Sequence, residues 1–365
     1  MTMLTYYSPR AVINEANRHL AGMEKFSYFF KIFNMRMMVV DRTDTLTIPI
    51  RVKSLFPLPA LKKATKTLED ICNERATELL QRAEKLGVLL YVFWSGGIDS
   101  TLVLVSLLKN ATAAQKANIV VLLSNDSINE NPNFYRGHIY GKLRTESSIS
   151  FRFIIGTEHL ITNGELGDQV FGSNLSSQAL MKMFGNSIIY QPYRRDILFQ
   201  FYNLKLANEK MVNFYLDLFD RLMRAAPIPI TTYFEYFWWL IFTLEWQGVF
   251  MRILSFTPER NAHNVTLEYF RTNLNPFFGT EEFQLWSMNN LDKRIKDTWI
   301  SFKWPCKDII YGFTKDDDYH QNKFKQNSVS IWQHRINSYN FMDEYIQPFW
   351  RMNPEEYHNP DNSFL

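Results

Sequence analysis

The fold is decided by one stretch, Leu89-Leu-Tyr-Val-Phe-Trp-Ser95-Gly96-Gly97-Ile98-Asp99-Ser100-Thr101. Its first six residues are a continuous apolar run with several aromatic side chains, which is typical of a strand buried on both faces. The Ser-Gly-Gly segment predicts a tight turn, because glycine lets the backbone bend sharply. The apolar residues from Thr101 to Leu108 predict a helix that packs back on the sheet. We therefore expect a strand, a turn and a helix in direct succession.

The turn and the start of the helix predict a binding site for an anion. A helix N-terminus preceded by uncovered glycine amides attracts negative charge, and serine and threonine hydroxyls add further donors. Asp99 is unexpected here because its carboxylate would repel a phosphate, and a divalent cation between the two resolves the conflict. The stretch lacks the lysine of a Walker-type phosphate loop. The expected phosphate contacts are Ser95, Gly96, Gly97, Ser100 and Thr101.

The hexapeptide Ser95–Ser100 resembles the pyrophosphate loop, Ser-Gly-Gly-x-Asp-Ser, of the ATP pyrophosphatase superfamily. That superfamily includes asparagine synthetase, NAD and GMP synthetases, argininosuccinate synthetase, tRNA thiolation enzymes and phosphoadenylyl-sulfate reductase. The resemblance implies cleavage of ATP between the α and β phosphates, with Mg²⁺ on the pyrophosphate. The alternative is a chance glycine turn between a strand and a helix, and the strand–turn–helix setting argues against it.

A second motif, Asn163-Gly164-Glu165-Leu-Gly167-Asp168-Gln-Val-Phe171-Gly172-Ser173, narrows the resemblance. Asparagine synthetases and the related β-lactam synthetases have Ser-Gly-Glu-Gly-Ser/Ala-Asp-Glu-Leu/Val-Phe-Gly-Gly after their pyrophosphate loop. The two patterns match in register at the glutamate, the aspartate, the phenylalanine and the following glycine. The departures are Leu166 in place of glycine, Gln169 in place of glutamate and Ser173 in place of the last glycine.

This second resemblance implies roles for two acidic residues. Asp168 would pair with Asp99 to hold Mg²⁺, which usually takes one or two carboxylates together with phosphate oxygens and water. Glu165 would face the reacting carboxyl group and accept a proton from the attacking amine, which must lose one. The alternative interpretation of Glu165 and Asp168 is a solvated turn with an aspartate helix cap.

Two lysine-containing segments near the C-terminal end resemble the last part of the asparagine synthetase domain. They are Lys303-Trp-Pro-Cys-Lys307-Asp-Ile-Ile and His320-Gln-Asn-Lys323-Phe-Lys325. In that domain a lysine-led helix is followed by a segment whose lysine reaches the pyrophosphate. Lys323 is our choice for that lysine, with Lys307 second, since lysine binds phosphate as a point charge. The alternative is a basic face exposed to solvent.

Other segments depart from asparagine synthetase. Residue 2 is threonine, where the glutamine-dependent enzymes have a catalytic cysteine, and the first 88 residues are too few for a glutaminase domain. We therefore expect that this chain does not release ammonia from glutamine. The Arg-Val-Pro-Phe-Leu-Asp segment of the family corresponds to Leu274–Gly279, without the arginine or the aspartate. The amino-acid substrate is therefore not expected to be aspartate.

The segment from Ser124 to Pro132 resembles Ser-x-Asp-Thr-x-x-Glu-Asn-Pro of phosphoadenylyl-sulfate-reductase-like proteins, including those tied to DNA phosphorothioation. Those proteins use cysteines for sulfur chemistry, whereas this chain has two, Cys72 and Cys306, far apart in sequence. Reductase and thiolation activities are therefore weak alternatives, and two cysteines exclude a four-cysteine zinc site. Ser124 and Asn125 are expected near the adenosine.

The order of elements predicts an α/β fold in which a parallel sheet carries helices on both faces, like that of the adenine nucleotide α-hydrolases. Strands are predicted at 118–123 and 150–155, and helices at 11–21 and 62–85. A helical C-terminal part is predicted from about residue 196. It includes a buried helix over 233–254, for which Thr232 and Glu235 are a candidate capping box. We expect three regions. They are an N-terminal extension over 1–60 with a β-hairpin formed by 33–40 and 45–52, an ATP pyrophosphatase domain over 61–350, and a tail over 351–365.

Composition excludes several classes of protein. The formal net charge of the 365 residues is +3, which does not indicate a nucleic-acid partner. The sequence has neither a signal-peptide pattern nor a run of 18 apolar residues, so we expect no membrane span. With two cysteines, a reducing, cytoplasmic location is expected.

The predicted activity is that of an ATP-dependent ligase. It would use ATP and Mg²⁺ to adenylate a carboxylate, release pyrophosphate and form an amide with ammonia or an amine, and a partner protein could supply nitrogen or substrate. Two alternatives stay open, an adenylase that modifies a nucleobase or DNA, and a degenerate relative that binds nucleotide to regulate a partner.

Overall fold

A computed structural model describes residues 4–7, 22–28, 32, 40–47, 54–172, 174–251, 253, 264, 267–294, 303–323, 338–341 and 346–348. The chain forms two compact units. The sheet unit comprises residues 62–170 and 256–335, and the helical unit comprises 1–61, 171–255 and 336–365. The predicted helix at 11–21, most of the predicted hairpin and the 351–365 tail lie outside the described residues.

The strands and helices are numbered in chain order. The strands are β1 Leu4–Tyr7, β2 Leu90–Phe93, β3 Ile119–Leu123, β4 Arg144–Ser147, β5 Leu160–Asn163, β6 Leu274–Pro276, β7 Ser338–Phe341 and β8 Ile346–Pro348. The helices are α1 Leu68–Leu86, α2 Ile98–Asn110, α3 Ala113–Ala117, α4 Asn125–Glu130, α5 Pro132–Phe134, α6 Phe151–Ile154, α7 Gly167–Phe171, α8 Asn174–Phe184, α9 Arg195–Leu206, α10 Glu209–Arg224, α11 Tyr233–Leu244, α12 Trp246–Met251, α13 Leu267–Thr272, α14 Glu281–Asn289, α15 Trp304–Thr314 and α16 Asp317–Asn322.

The sheet unit contains a five-stranded sheet with the order β4-β3-β2-β5-β6, in which every pairing is parallel. The central strand β2 is aligned with Ile119 of β3 and Leu160 of β5 through Leu90. A parallel sheet joined by helices is an α/β fold, and this part of the prediction is confirmed. The strand, turn and helix expected at 89–108 are present as β2 and α2.

The core of this unit follows from the apolar runs. Val92, Val120 and Val121 are fully buried, and so are the residues from Leu102 to Val105 on α2. Burying such side chains is the main force that holds helix and sheet together. Strand β4 differs, because Arg144–Ser147 is polar and mostly exposed, as is common for an edge strand.

The prediction of a strand at 150–155 is wrong. Residues 148–150 form a 3-10 turn and Phe151–Ile154 form the short helix α6. The apolar run has helical spacing, since Phe151, Ile154 and Ile155 are buried whereas Phe153 is 48% exposed. A strand covered on both faces would bury all of these side chains, and the edge strand lies earlier, at β4.

Helix α1 begins later than the predicted residue 62. The Thr67 hydroxyl accepts a hydrogen bond from the Asp70 amide at 3.1 Å, and the Asp70 carboxylate accepts one from the Thr67 amide at 3.1 Å. This capping box satisfies amides at the helix start. At the other end Gly87 takes a left-handed conformation with φ +67°, which stops the helix.

The helical unit contains α8 to α12, and its most buried element is α11. The predicted capping box at its start is confirmed, since the Thr232 hydroxyl accepts from the Glu235 amide at 3.2 Å and Glu235 accepts from the Thr232 amide at 2.9 Å. The helix ends at Leu244 rather than at the predicted Leu254, and α12 follows. In the described part of the chain, none of the helices combines the length and apolar character that crossing a membrane requires.

A buried arginine fastens the N-terminal residues 40–57 to α11. Arg42 donates hydrogen bonds to the carbonyl oxygens of Phe56 at 2.6 Å and Phe242 at 3.0 Å, and its guanidinium lies 4.4 Å from the centre of a Trp246 ring. A guanidinium between carbonyls and aromatic faces is well satisfied without water. The turn predicted in the middle of the hairpin is present, since Asp41 accepts from the amide of Thr45.

Candidate functional site

The two sequence motifs lie at the carboxyl ends of two adjacent strands. Strand β2 leads into Ser95–Asp99, and β5 leads into Gly164–Asp168. From β2 the chain builds the sheet toward β4, and from β5 it builds in the opposite direction toward β6. Such a reversal opens a crevice at the carboxyl ends of the strands, where ligands of open α/β sheets bind. Strand β5 was not among the strands predicted from the sequence.

The first loop is closed by hydrogen bonds between its own serines. Ser100 Oγ accepts from the Ser95 amide at 3.0 Å and lies 3.0 Å from Ser95 Oγ. Gly97 is the N-cap of α2, and no side chain caps that helix. A helix N-terminus without a side-chain cap, preceded by a glycine turn, is a common place for an anion to bind.

Gly96 lets the loop pack tightly against the end of α4. Its backbone has φ +75°, and a Cβ atom there would lie 2.4 Å from the Ser127 carbonyl oxygen and 2.7 Å from Glu130 Cβ. Neither the conformation nor the space suits a larger residue. The close approach places Glu130 directly beside the first loop.

Two glycines of the second motif bring it against the first. A Cβ at Gly164 would lie 2.8 Å from the Ser100 amide nitrogen, and a Cβ at Gly167 would lie 2.5 Å from Asp99 Cγ. These distances are too short for any side chain, so both positions depend on glycine. The two motifs therefore form one site, although Ser100 and Gly164 are 64 residues apart in sequence.

Leu166 has φ +69°, a left-handed conformation that favours glycine. In the asparagine synthetase motif that this segment resembles, the matching position is glycine. The backbone of this chain keeps the glycine-type turn although the residue is leucine. The leucine side chain is 1% exposed, and its burial offsets the strain of the backbone.

The two predicted metal ligands converge on a lysine. Lys303 Nζ donates to Asp99 Oδ1 at 2.6 Å, to the second oxygen of the same carboxylate, and to Asp168 Oδ1 at 2.9 Å. The lysine side chain is 2% exposed and each aspartate is 21% exposed. Burial alone would lower the pKa of Lys303, but the charges of Asp168 and Asp99 outweigh it and raise the pKa, so the group is an ammonium.

Asp99 and Asp168 fit a magnesium site. Both present carboxylate oxygens, the donors that Mg²⁺ prefers, to a common point defined by the Lys303 nitrogen. Among the residues that the structure describes, no cluster of three or more His, Cys, Asp or Glu side chains could hold a metal ion. The described chain thus offers two carboxylates here, and phosphate oxygens and water would complete the coordination of Mg²⁺.

Lys323, predicted to reach the pyrophosphate, lies beside the first loop and is bound by Glu130. Its Nζ donates to Glu130 Oε1 at 2.6 Å and to the Glu130 carbonyl oxygen at 3.2 Å. Lys307, the second choice, is fully buried nearby. Burial and the charge of Lys323 lower the pKa of Lys307 to about 8. The basic face expected as the alternative is therefore not solvent-exposed at these two residues.

Other predicted site residues are placed as follows. Thr101 is fully buried, and its hydroxyl accepts from the Trp94 indole at 3.1 Å, so it is already engaged. Ser124 is the N-cap of α4, and exposed Asn125 follows at the carboxyl end of β3. Glu165 lies in the turn after β5, where its amide donates to Asn163 at 3.0 Å.

Sequence reasoning missed two residues of the site. Lys303 could have been predicted as a buried charge, because it is a lysine isolated among Phe302, Trp304 and Pro305. Glu130 lies within the Ser124–Pro132 segment, and the resemblance of that segment gives it no role. No local sequence pattern predicts its ion pair with Lys323, because the two residues are 193 positions apart in sequence.

The two cysteines are not placed for sulfur chemistry. Cys72 and Cys306 are both free thiols and fully buried. Burial raises the pKa of each thiol, which suppresses the reactive thiolate.

Comparison of the chain with models of known protein families and with curated proteins gave no match.

Proposed function

We propose that this chain is an ATP pyrophosphatase with the adenine nucleotide α-hydrolase-like fold, acting as a ligase related to the synthetase domain of asparagine synthetase. It would adenylate a carboxylate with ATP and Mg²⁺, release pyrophosphate, and form an amide with ammonia or an amine. One observation supports this most. Asp99 and Asp168, predicted from separate motifs to share a metal, present oxygens to one common cation.

The strand order gives additional support. The reversal between β2 and β5 opens the ligand crevice beside the Ser-Gly-Gly turn rather than elsewhere on the sheet. The left-handed backbone at Leu166 supports the same assignment, because it matches a glycine position of the resembled motif. These features concern different parts of the chain and favour the same chemistry.

In the first proposed step, a carboxylate oxygen of the substrate attacks the α-phosphorus of ATP, and the bond to the β-phosphate oxygen breaks. The amides at Gly96 and Gly97 and the Ser95 hydroxyl would hold the departing pyrophosphate. Mg²⁺, when bound by Asp99 and Asp168, would supply positive charge against that leaving group. Lys323 would add a further positive charge beside the first loop.

In the second step, an amine attacks the acyl carbon of the acyl-adenylate, and AMP leaves. The amine loses a proton, and Glu165 is our candidate to accept it. A partner protein could supply the nitrogen or the carboxylate substrate.

The products of ATP test this proposal. Purified chain, ATP and Mg²⁺ are incubated with candidate carboxylates and ammonium, and the nucleotides are separated by ion-exchange chromatography. We expect AMP and pyrophosphate in equal amounts, and exchange of labelled pyrophosphate into ATP when the carboxylate is present. Formation of ADP and phosphate would show that the assignment is wrong.

A second candidate is a nucleotide-binding regulatory relative without turnover. The observation that favours it is the Lys303 ammonium, which lies where the shared metal is expected. Such a protein would bind ATP but give neither AMP nor pyrophosphate exchange with any carboxylate. Equilibrium binding measured beside the exchange assay separates the two candidates.

A further inference from the structure

The position between Asp99 and Asp168 is held by a cation that belongs to the chain itself. The Lys303 ammonium is within hydrogen-bond distance of both carboxylates and is 2% exposed. A divalent ion bound by the same oxygens would have to take this position. Two cations cannot share it, because their repulsion in a partly desolvated site is strong.

The lysine cannot leave without a new partner. A buried ammonium that loses its carboxylates is strongly destabilising, since its charge is then uncompensated away from water. An incoming divalent ion alone offers no such partner. A polyphosphate does, because its oxygens would lie at the α2 N-terminus, beside Asp99.

The backbone at Lys303 restricts how the exchange could occur. Lys303 has φ +56° and ψ +37°, a left-handed conformation at the N-cap of α15. Its carbonyl oxygen accepts from the amides of Cys306 at 3.0 Å and Lys307 at 3.2 Å. Strained residues of this kind persist where the surroundings fix them, often at functional sites. Release of the carboxylates therefore requires the side chain to rotate while the backbone stays in place.

We propose that Lys303 makes the Asp99–Asp168 site conditional on phosphate, so that it takes a divalent cation together with a polyphosphate and binds the cation poorly by itself. Lys303 is thus a specificity-determining residue of the metal site. The identification of the polyphosphate as ATP rests on the proposed function. The exclusion of a metal ion from the site without phosphate does not. The two parts are therefore tested separately.

The first test measures Mn²⁺ binding by electron paramagnetic resonance without any nucleotide. We expect weak binding to the unmodified chain and at least about tenfold tighter binding to Lys303→Met, within the usual range of coupling between sites. Lys303→Arg keeps the charge and should bind Mn²⁺ as weakly as the unmodified chain. The double variant Lys303→Met with Asp168→Asn should lose the gain, which identifies the carboxylates as the ligands.

The second test measures binding of α,β-methylene-ATP in EDTA by calorimetry. Lys303→Met should weaken it about tenfold, because the ammonium is then absent as a phosphate partner. The proposal therefore predicts opposite effects of Lys303→Met on two affinities. The affinity for Mn²⁺ without nucleotide should rise, and the affinity for the nucleotide without metal should fall. A purely structural role of Lys303 would weaken both.

The unmodified chain provides a test that survives if Lys303→Met does not fold. The proposal would be overturned if the unmodified chain bound Mn²⁺ tightly without nucleotide and if Asp168→Asn abolished that binding. Failure of the chain to bind any nucleotide, with Mn²⁺ still excluded by Lys303, would instead overturn the proposed function and leave the exclusion of the metal in place.

Discussion

Lys323 Nζ lies 2.6 Å from Glu130 Oε1, and the two side chains are only 8% and 3% exposed. Glu130 in turn packs against Gly96 of the first loop. The lysine expected to stabilise pyrophosphate is therefore held at the loop by a buried carboxylate. This carboxylate also offsets part of the positive charge that Lys323 and Lys307 bring there.

Glu130→Gln should affect stability and anion binding in opposite directions. The amide keeps the shape but leaves a buried lysine without its counter-charge, so unfolding free energy should fall by about 3 kcal/mol. Inorganic pyrophosphate should bind on the order of ten times more tightly, because the lysines are less neutralised. Urea unfolding and calorimetric titration measure the two effects. The double variant with Lys323→Met is the control, and it should recover stability while losing the gain in affinity.

Lys307→Met should stabilise the protein in a pH-dependent way. The pKa of Lys307 is lowered from 10.5 to about 8, so below pH 8 the folded chain carries a buried charge that the unfolded chain holds in water. The penalty is complete below pH 8 and disappears as the pH rises toward 10.5, where both states are neutral. Removing the amine should therefore add up to about 3 kcal/mol at pH 7 and little at pH 10.5. Urea unfolding at several pH values checks this, and an equal effect at all pH values would contradict it.

Alanine in place of Gly96 or Gly167 should destabilise the protein by more than about 1 kcal/mol. At Gly96 both the positive φ and the Ser127 carbonyl oppose a Cβ, and at Gly167 the Asp99 side chain does. Gly312 is the matched control, because it lies within α15 and a Cβ there meets nothing within 4 Å. Gly312→Ala should stabilise by about 0.5–1 kcal/mol, since alanine is the better helix former. Thermal unfolding of the three variants ranks them.

Asp99→Asn and Asp168→Asn should each slow turnover by about 10²–10³-fold, which is the usual effect of losing one electrostatic contact in the transition state. The double variant should be little slower than either single one, because the two carboxylates act on one cation. The rate of pyrophosphate exchange into ATP is the measurement. If Asp168→Asn exchanges pyrophosphate as fast as the unmodified chain, Asp168 has no role at a shared metal.

Glu165→Gln should behave differently from the aspartate variants. It should leave pyrophosphate exchange intact and slow amide formation, because Glu165 is assigned to the second step alone. Product formation and exchange are measured on the same preparation. Equal loss of both rates would place Glu165 in the adenylation step instead.

Local chemistry in the sequence determined the elements whose causes are close together along the chain. The apolar run before Ser95, the glycine turn and the apolar helix after it are each legible from neighbouring residues. The same holds for the capping box of Thr232 and Glu235, whose partners are three residues apart. Such features depend on backbone geometry and short-range hydrogen bonds, which a single stretch specifies.

Tertiary structure decided which distant charges meet. Lys303 lies 204 residues from Asp99 and 135 from Asp168 in sequence. No local sequence pattern predicts that its side chain lies between the two carboxylates. The segment 150–155 shows the same limit, because an apolar run suits a buried strand or a short helix until the sheet edge at β4 is known. The physical reason is that burial and charge pairing depend on contacts between segments that are distant in sequence. These contacts form only once the sheet has brought β2 and β5 side by side.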